Sequence, residues 1–450
     1  MMPAAFAPFL EKAPFCVMTR LCLEALFRPQ RLDELFRKAA QRQYQKELLF
    51  SEVVELMMAV VLRVQPSVHA AYRKAGLKVS DEAVYGKLRC MEVGVTQALV
   101  ADSATQVGPV IEALGAKLPA WLPGYRVRVL DGNHLGATQK RIKQLRPTWA
   151  AALPGKVLAV YDQELDLVTQ VFLTPAGHAQ ERSLLGEVIE QLKAKELWIA
   201  DRNFCTLEFL LAINAAQAAF VIRQHGTLQG LLVGQRQGQG RTATGQVDEQ
   251  ALELAYQGQT LTVRRVSLVL DEPTKDGDSE IHILTNLPKD QADAQAVAEL
   301  YRKRWTIEGR FYQVTQTLDC EPNTLGYPQA ALFAFCLALV ASNAVALIKA
   351  SLRAEHKAEE VEELSHYYLA LEVRQTYPGM MIALPPEQWV ALRDLTAATW
   401  AALLRQAARA VRPQLYRKAR RGPKKPATPK DPYQNGGHVS THKLLQQRKQ

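Results

Sequence analysis

Apolar positions recur every three or four residues through LDELFRKAAQRQ, VVELMMAVVLRV and EAVYGKLRCMEVGVTQALV, so the chain up to about Pro119 reads as a run of amphipathic helices. Ser80, followed by Asp81 and Glu82, fits a helix N-cap with acids in the first turn. The segment LPAWLPGYRV, with Pro119, Pro123 and Gly124, breaks the pattern and marks a junction. Beyond it the spacing changes. VRVLD, VLAVY and LVTQVFL predict three strands, the last two joined by a tight polar turn from Asp162 to Asp166. A helix is expected from about Glu181 to Ala194, then the strand LWIA, a helix over LEFLLAINAA and the strand FVIR.

From Gln224 to Glu280 the chain is rich in Gln, Gly, Thr and Val, and LTVRRVSLVL alternates, which predicts a β-rich insertion. IHILTNL follows as a strand, and a helix starting near Gln291 carries YRKRWTIE. The apolar run from Ala330 to Ile348 is long enough to span a bilayer, but Ser342 and Asn343 interrupt it and no polar flanks support a span, so a buried helix is expected. A charged helix from about Ala354 and another from Trp389 to Ala410 complete the ordered pattern.

Composition adds most at the C-terminus. The net charge is +10, yet from Arg412 to Gln450 there are eleven Lys and Arg against one acid, Asp431, which leaves 44 against 44 elsewhere. A concentrated basic arm on a neutral body suits a polyanion, because each Lys or Arg on a phosphate releases bound counterions. Interspersed Pro and Gly in RKARRGPKKPATPKDP predict an extended, exposed segment, with Arg417, Lys418, Arg420, Arg421, Lys424 and Lys425 as candidate DNA contacts. The six cysteines form no CxxC pair, as expected of reduced thiols in a cytosolic protein. The N-terminus lacks an uninterrupted apolar core of the secretory kind.

The candidate chemistry sits where apolar strands stop on an acid. VRVLDG ends in Asp131 and LWIADR ends in Asp201, so each run presents a carboxylate at a sheet edge. On a helix turning about 100° per residue, Tyr301, Arg304, Glu308 and Thr315 fall within roughly 60° of one another, which sets a guanidinium beside a carboxylate. Arg202 and Asn203 follow the second aspartate, as DNA contacts or as caps of the next helix. Asp162 and Asp166 are better explained as turn residues than as metal ligands, and Trp305 is read as packing.

DGNHL, ADRNF and YRKRWTIE, in that order and with a long insertion between the second and third, resemble an insertion-sequence transposase of the DDE superfamily. The branch is the insertion sequence four type, whose final motif reads Tyr, two residues, Arg, three residues, Glu, six residues, Lys. Tyr301, Arg304 and Glu308 match it, and Thr315 stands where that family has lysine. The resemblance covers roughly Tyr125 to Leu347.

It implies an α/β chain built on a ribonuclease H-like catalytic core, over 125–223 and 281–347, interrupted by the β-rich insertion at 224–280. A helical DNA-binding domain at 1–119 precedes it; helices at 348–411 and a basic disordered tail at 412–450 follow. In that fold the first and fourth strands are neighbours, so Asp131 and Asp201 would meet. The resemblance makes Asp131, Asp201 and Glu308 the catalytic carboxylates holding two Mg²⁺ ions, with Mn²⁺ as a substitute. Tyr301 and Arg304 would serve the same site near DNA. The implied partners are double-stranded DNA, at the element ends and the target, and a second copy in a synaptic homodimer, in the bacterial cytoplasm at the nucleoid. The alternatives are an inactive DNA-binding derivative that regulates transposition and a metal-dependent nuclease without strand transfer.

Overall fold

The computed structural model describes residues 2–43, 45–136, 142–147, 152–274, 277–305, 307, 309, 318–322, 325–418, 422 and 439–447. Its centre is one mixed sheet. The long strands are β1 (Arg126–His134), β3 (Lys156–Asp162), β4 (Leu167–Thr174), β5 (Glu196–Ala200), β6 (Ala219–Arg223), β7 (Leu231–Thr242), β8 (Gly245–Tyr256), β9 (Gln259–Leu270) and β10 (Glu280–Thr285), and two-residue β2 (Ala152–Leu153) lies apart from them. Their order is β4-β3-β1-β5-β6-β10-β9-β8-β7. β1 runs parallel to β5, and β5 to β6, whereas β3 is antiparallel to both β1 and β4. Within these five strands β3 alone is reversed.

Both faces of β1 and β5 are covered, which is why their sequences are continuous apolar runs rather than alternating ones. Successive side chains still point to opposite faces. Val127, Val129, Leu197 and Ile199 join the larger core with the N-terminal helices and the first half of the helix Pro328–Arg353. Leu130, Trp198 and Ala200 join a second core with Leu184, Val188, Phe204 and Phe209. The N-terminal helices therefore share a core with the sheet.

The helix Pro328–Arg353 starts on a proline, whose missing N–H costs nothing in the first turn. It is long and apolar enough to cross a membrane by length and composition, but it lies buried inside the protein. Asn343, one of the residues that interrupts the apolar run, is buried and donates to the Val168 carbonyl and Ser103 Oγ while accepting from the Val168 amide. It thus serves the backbone of edge strand β4 in place of a neighbouring strand.

Several elements differ from the sequence pattern. The helix expected from Glu181 to Ala194 is a 3₁₀ turn, Glu181–Leu184, followed by the short helix Leu185–Ile189. The strands within 224–280, by contrast, follow the alternating pattern, and they are continuous with the main sheet, because β9 pairs with β10 and β10 with β6. The basic C-terminal stretch is not extended throughout. Pro413–Tyr416 is a 3₁₀ turn, and Arg417 pairs with Glu363 while Lys418 donates to the Glu362 and Glu363 carbonyls. Val439–Ser440 (β11) adds parallel to β2, and the helix Thr441–Gln447 places Leu444 and Leu445 on Ile142 and Leu145. Val439, Leu444 and Leu445, packed against Ile142 and Leu145, outweigh the local polarity that predicted an arm.

Candidate active site

β1 and β5 are neighbours in register, with Leu130 opposite Ala200. Asp131 and Asp201 are the next residue in each strand's direction, so the two carboxylates leave adjacent parallel strands at one level. By alternation both belong to the face of Val129 and Ile199, not to that of Leu130 and Ala200. A separation of seventy residues in the chain becomes adjacency because the strand between them in the sheet order is none.

Each aspartate is fixed by the turn that follows it. Asp131 is buried, and its Oδ1 accepts from the Gly132 amide at 3.0 Å. Asp201 caps the 3₁₀ turn Arg202–Phe204, its Oδ1 accepting from the Asn203 amide at 2.8 Å. A carboxylate held by a backbone N–H keeps its rotamer without sacrificing its charge.

The third segment closes over the same face. The helix Ala294–Arg302 is N-capped by Asp293 and continues as a 3₁₀ turn, Lys303–Trp305, rather than as the regular helix the spacing assumed. Arg304 Nη1 donates to Asp131 Oδ2 at 3.0 Å, with both side chains about nine-tenths covered. Tyr301 is buried one turn earlier. Burial pushes its phenol up; the Arg304 and Arg223 guanidiniums oppose this, and the nearby Asp201 carboxylate adds to it. The phenol therefore lies close enough to Arg304 and to Asp201 for both charges to act on it.

Asp131, Asp201, Tyr301 and Arg304 are thus brought together. Glu308, Thr315, Arg420, Arg421, Lys424 and Lys425 lie outside the described residues. Among the described residues no three His, Cys, Asp or Glu side chains form a metal-holding group. The two aspartates supply hard oxygen donors, the type that suits a hard divalent cation, and the fit of the pair to such an ion rests on their shared face and level.

Other candidates fall elsewhere. Arg202 is exposed and 3.8 Å from Asp278, which also binds Arg223 at 2.6 Å. Asp162 is fully buried beneath Arg126 and Arg128, and Arg128 also pairs with Glu196. Asp166 accepts from the Tyr161 hydroxyl. Both are spoken for by structure. Trp305, expected to pack, is 65% exposed beside Arg304. The sequence pattern missed Glu181, whose carboxylate accepts from Asn203 Nδ2 at 2.8 Å and lies against Gly132.

No curated protein sequence matches the chain. Among solved structures, a piggyBac transposase synaptic complex with hairpin DNA superposes with a TM-score of 0.38 at 10% identity, over 87% of this chain and 85% of that one. Residues 122–344 match the family described as the transposase DDE domain, a span that contains both aspartates, Tyr301 and Arg304. Through those residues the chain belongs to the DDE-domain transposases.

Proposed function

We propose that the chain is the transposase of a bacterial insertion sequence of the insertion sequence four type, acting at the nucleoid. It binds the terminal inverted repeats as a homodimer, cleaves DNA at the element ends and joins the 3′ ends to target DNA. The observation that carries this reading is the pairing of Asp131 and Asp201 on one face of adjacent parallel strands, with Arg304 bonded to Asp131. The β4-β3-β1-β5-β6 order with β3 reversed supports a ribonuclease H-like core beneath them.

Asp131, Asp201 and Glu308 would hold two Mg²⁺ ions. Such ions polarise a phosphoryl oxygen and lower the pKa of bound water. In cleavage, a water oxygen attacks the phosphorus and the P–O3′ bond breaks, leaving a 3′-hydroxyl and a 5′-phosphate. In transfer, that 3′-hydroxyl attacks a target phosphodiester, forms the new P–O3′ bond and expels the target's own 3′-hydroxyl. The Gly132 and Asn203 amides hold the aspartates in place through both steps. Arg304 compensates the buried Asp131 charge and would offer its guanidinium to a bound phosphate. Tyr301 is buried beside that guanidinium, within reach of its charge.

The test is cleavage and joining of a duplex carrying the repeats that flank the source gene. Asp131→Ala, Asp201→Ala and Glu308→Ala should each abolish Mg²⁺-dependent products while end binding persists. Near-normal cleavage by any one of them would overturn the site.

A further inference from the structure

The geometry points to Glu181 as a positioning residue that holds the two aspartate-bearing turns from the opposite face of the sheet. This rests on the active-site reading above and deepens it. Gly132 follows Asp131 in β1, so its missing side chain faces away from the Asp131 carboxylate. A Cβ placed there would lie 2.4 Å from the Glu181 carboxyl carbon and 2.5 Å from Oε1. Only hydrogen at this position lets the carboxylate press against the β1 backbone. On its other side, Glu181 Oε2 accepts from Asn203 Nδ2 at 2.8 Å, and Lys156 Nζ stands 4.0 Å from Oε1.

Glu181 therefore touches the residue whose amide holds Asp131 and bonds the side chain of the residue whose amide holds Asp201. The two carboxylates share a face, and behind them one acid ties their supporting turns together. Its placement on the far face separates it from the ligand set. A carboxylate at 18% exposure, with a bond to an amide and a lysine in range, is anchored well enough to act as such a tie. Its own backbone belongs to the 3₁₀ turn Glu181–Leu184, which Leu184 and Leu185 seat in the second core.

The experiment uses the full chain without DNA. Hydrogen–deuterium exchange is followed in the peptides containing Gly132 and Asn203, and Mn²⁺ binding by electron paramagnetic resonance, for wild type, Glu181→Ala, Glu181→Gln, Asn203→Ala and the combined Glu181→Ala/Asn203→Ala. Glu181→Ala should speed exchange in both peptides and weaken Mn²⁺ binding about 10- to 100-fold, the range for groups that orient ligands. Asn203→Ala should do the same, and the combined variant should be no worse than either. Glu181→Gln, whose amide oxygen still accepts from Asn203, should retain most of the wild-type behaviour.

Unchanged exchange at both turns in Glu181→Ala and Asn203→Ala would overturn the assignment, as would Glu181→Gln behaving like Glu181→Ala. Should Glu181→Ala fail to fold, Glu181→Gln and Asn203→Ala carry the same comparison. If Asp131→Ala binds Mn²⁺ as well as wild type, the metal site itself is wrong, and exchange alone then decides the role of Glu181.

Discussion

The Asp131 carboxylate and the Arg304 guanidinium, 173 positions apart in the chain, meet at 3.0 Å with both side chains buried. Removing one member of such a pair leaves a charge in a poorly hydrated place, a cost of about 3–5 kcal/mol. Arg304→Ala should therefore lower the melting temperature by several degrees, and Mg²⁺ should recover part of the loss by supplying positive charge to Asp131. A melting temperature equal to wild type, with no response to Mg²⁺, would show that the pair does not matter to the fold.

Gly132→Ala is expected to be more damaging than a single methyl suggests. The new Cβ would overlap the Glu181 carboxylate, which must swing away and release Asn203. We expect cleavage to fall at least about tenfold, the lower bound for disturbed supporting residues, with end affinity unchanged in a gel-shift titration. Restoring space with Gly132→Ala/Glu181→Ala should relieve the overlap without restoring activity.

Asn343→Leu keeps the volume of the side chain and removes three hydrogen bonds, to the Val168 amide, the Val168 carbonyl and Ser103. Each buried backbone group left unpaired costs about 1–3 kcal/mol. Thermal denaturation should show a loss of several degrees, and a stabilised variant would contradict the account.

Periodicity made the strands and their terminal acids legible, and the resemblance supplied the pairing that brings those acids together. The runs VRVLD and LWIA stop on acids, and a parallel pairing of two such strands leaves both acids at one edge. The apolar Ala330 helix reads as buried because Asn343 sits in it, and the structure shows what the asparagine is for. What sequence could not supply was contact across the sheet. Glu181 lies in a segment whose apolar spacing looked like an ordinary helix, and its role depends on an absent Cβ at Gly132, forty-nine residues earlier. Trp305 followed the same limit, since helical spacing held only to Arg302 and the 3₁₀ turn then carried the indole outward. The ordered end of the basic tail depends on Val439, Leu444 and Leu445 packing against Ile142 and Leu145, which lie far earlier in the chain.

The pH dependence of stability has a specific local source. Burial raises the Glu249 carboxyl, but hydrogen bonds from Arg264 and Lys289 outweigh it and hold the group below its ordinary value of 4.5. The folded protein thus binds that proton less readily than the unfolded chain. Its stabilising contribution is complete above the ordinary glutamate value and is lost as the pH falls through the lower folded value. Melting curves of wild type and Glu249→Gln should differ near neutral pH and converge in acid; a constant gap would exclude this origin.

The insertion joins the rest of the sheet through β10, which pairs with β9 on one side and with β6 on the other, and β6 in turn pairs with β5. Strand by strand, the exposed outer edge that presents Leu231 and Leu232 to solvent is thereby connected to the segment that ends on Asp201.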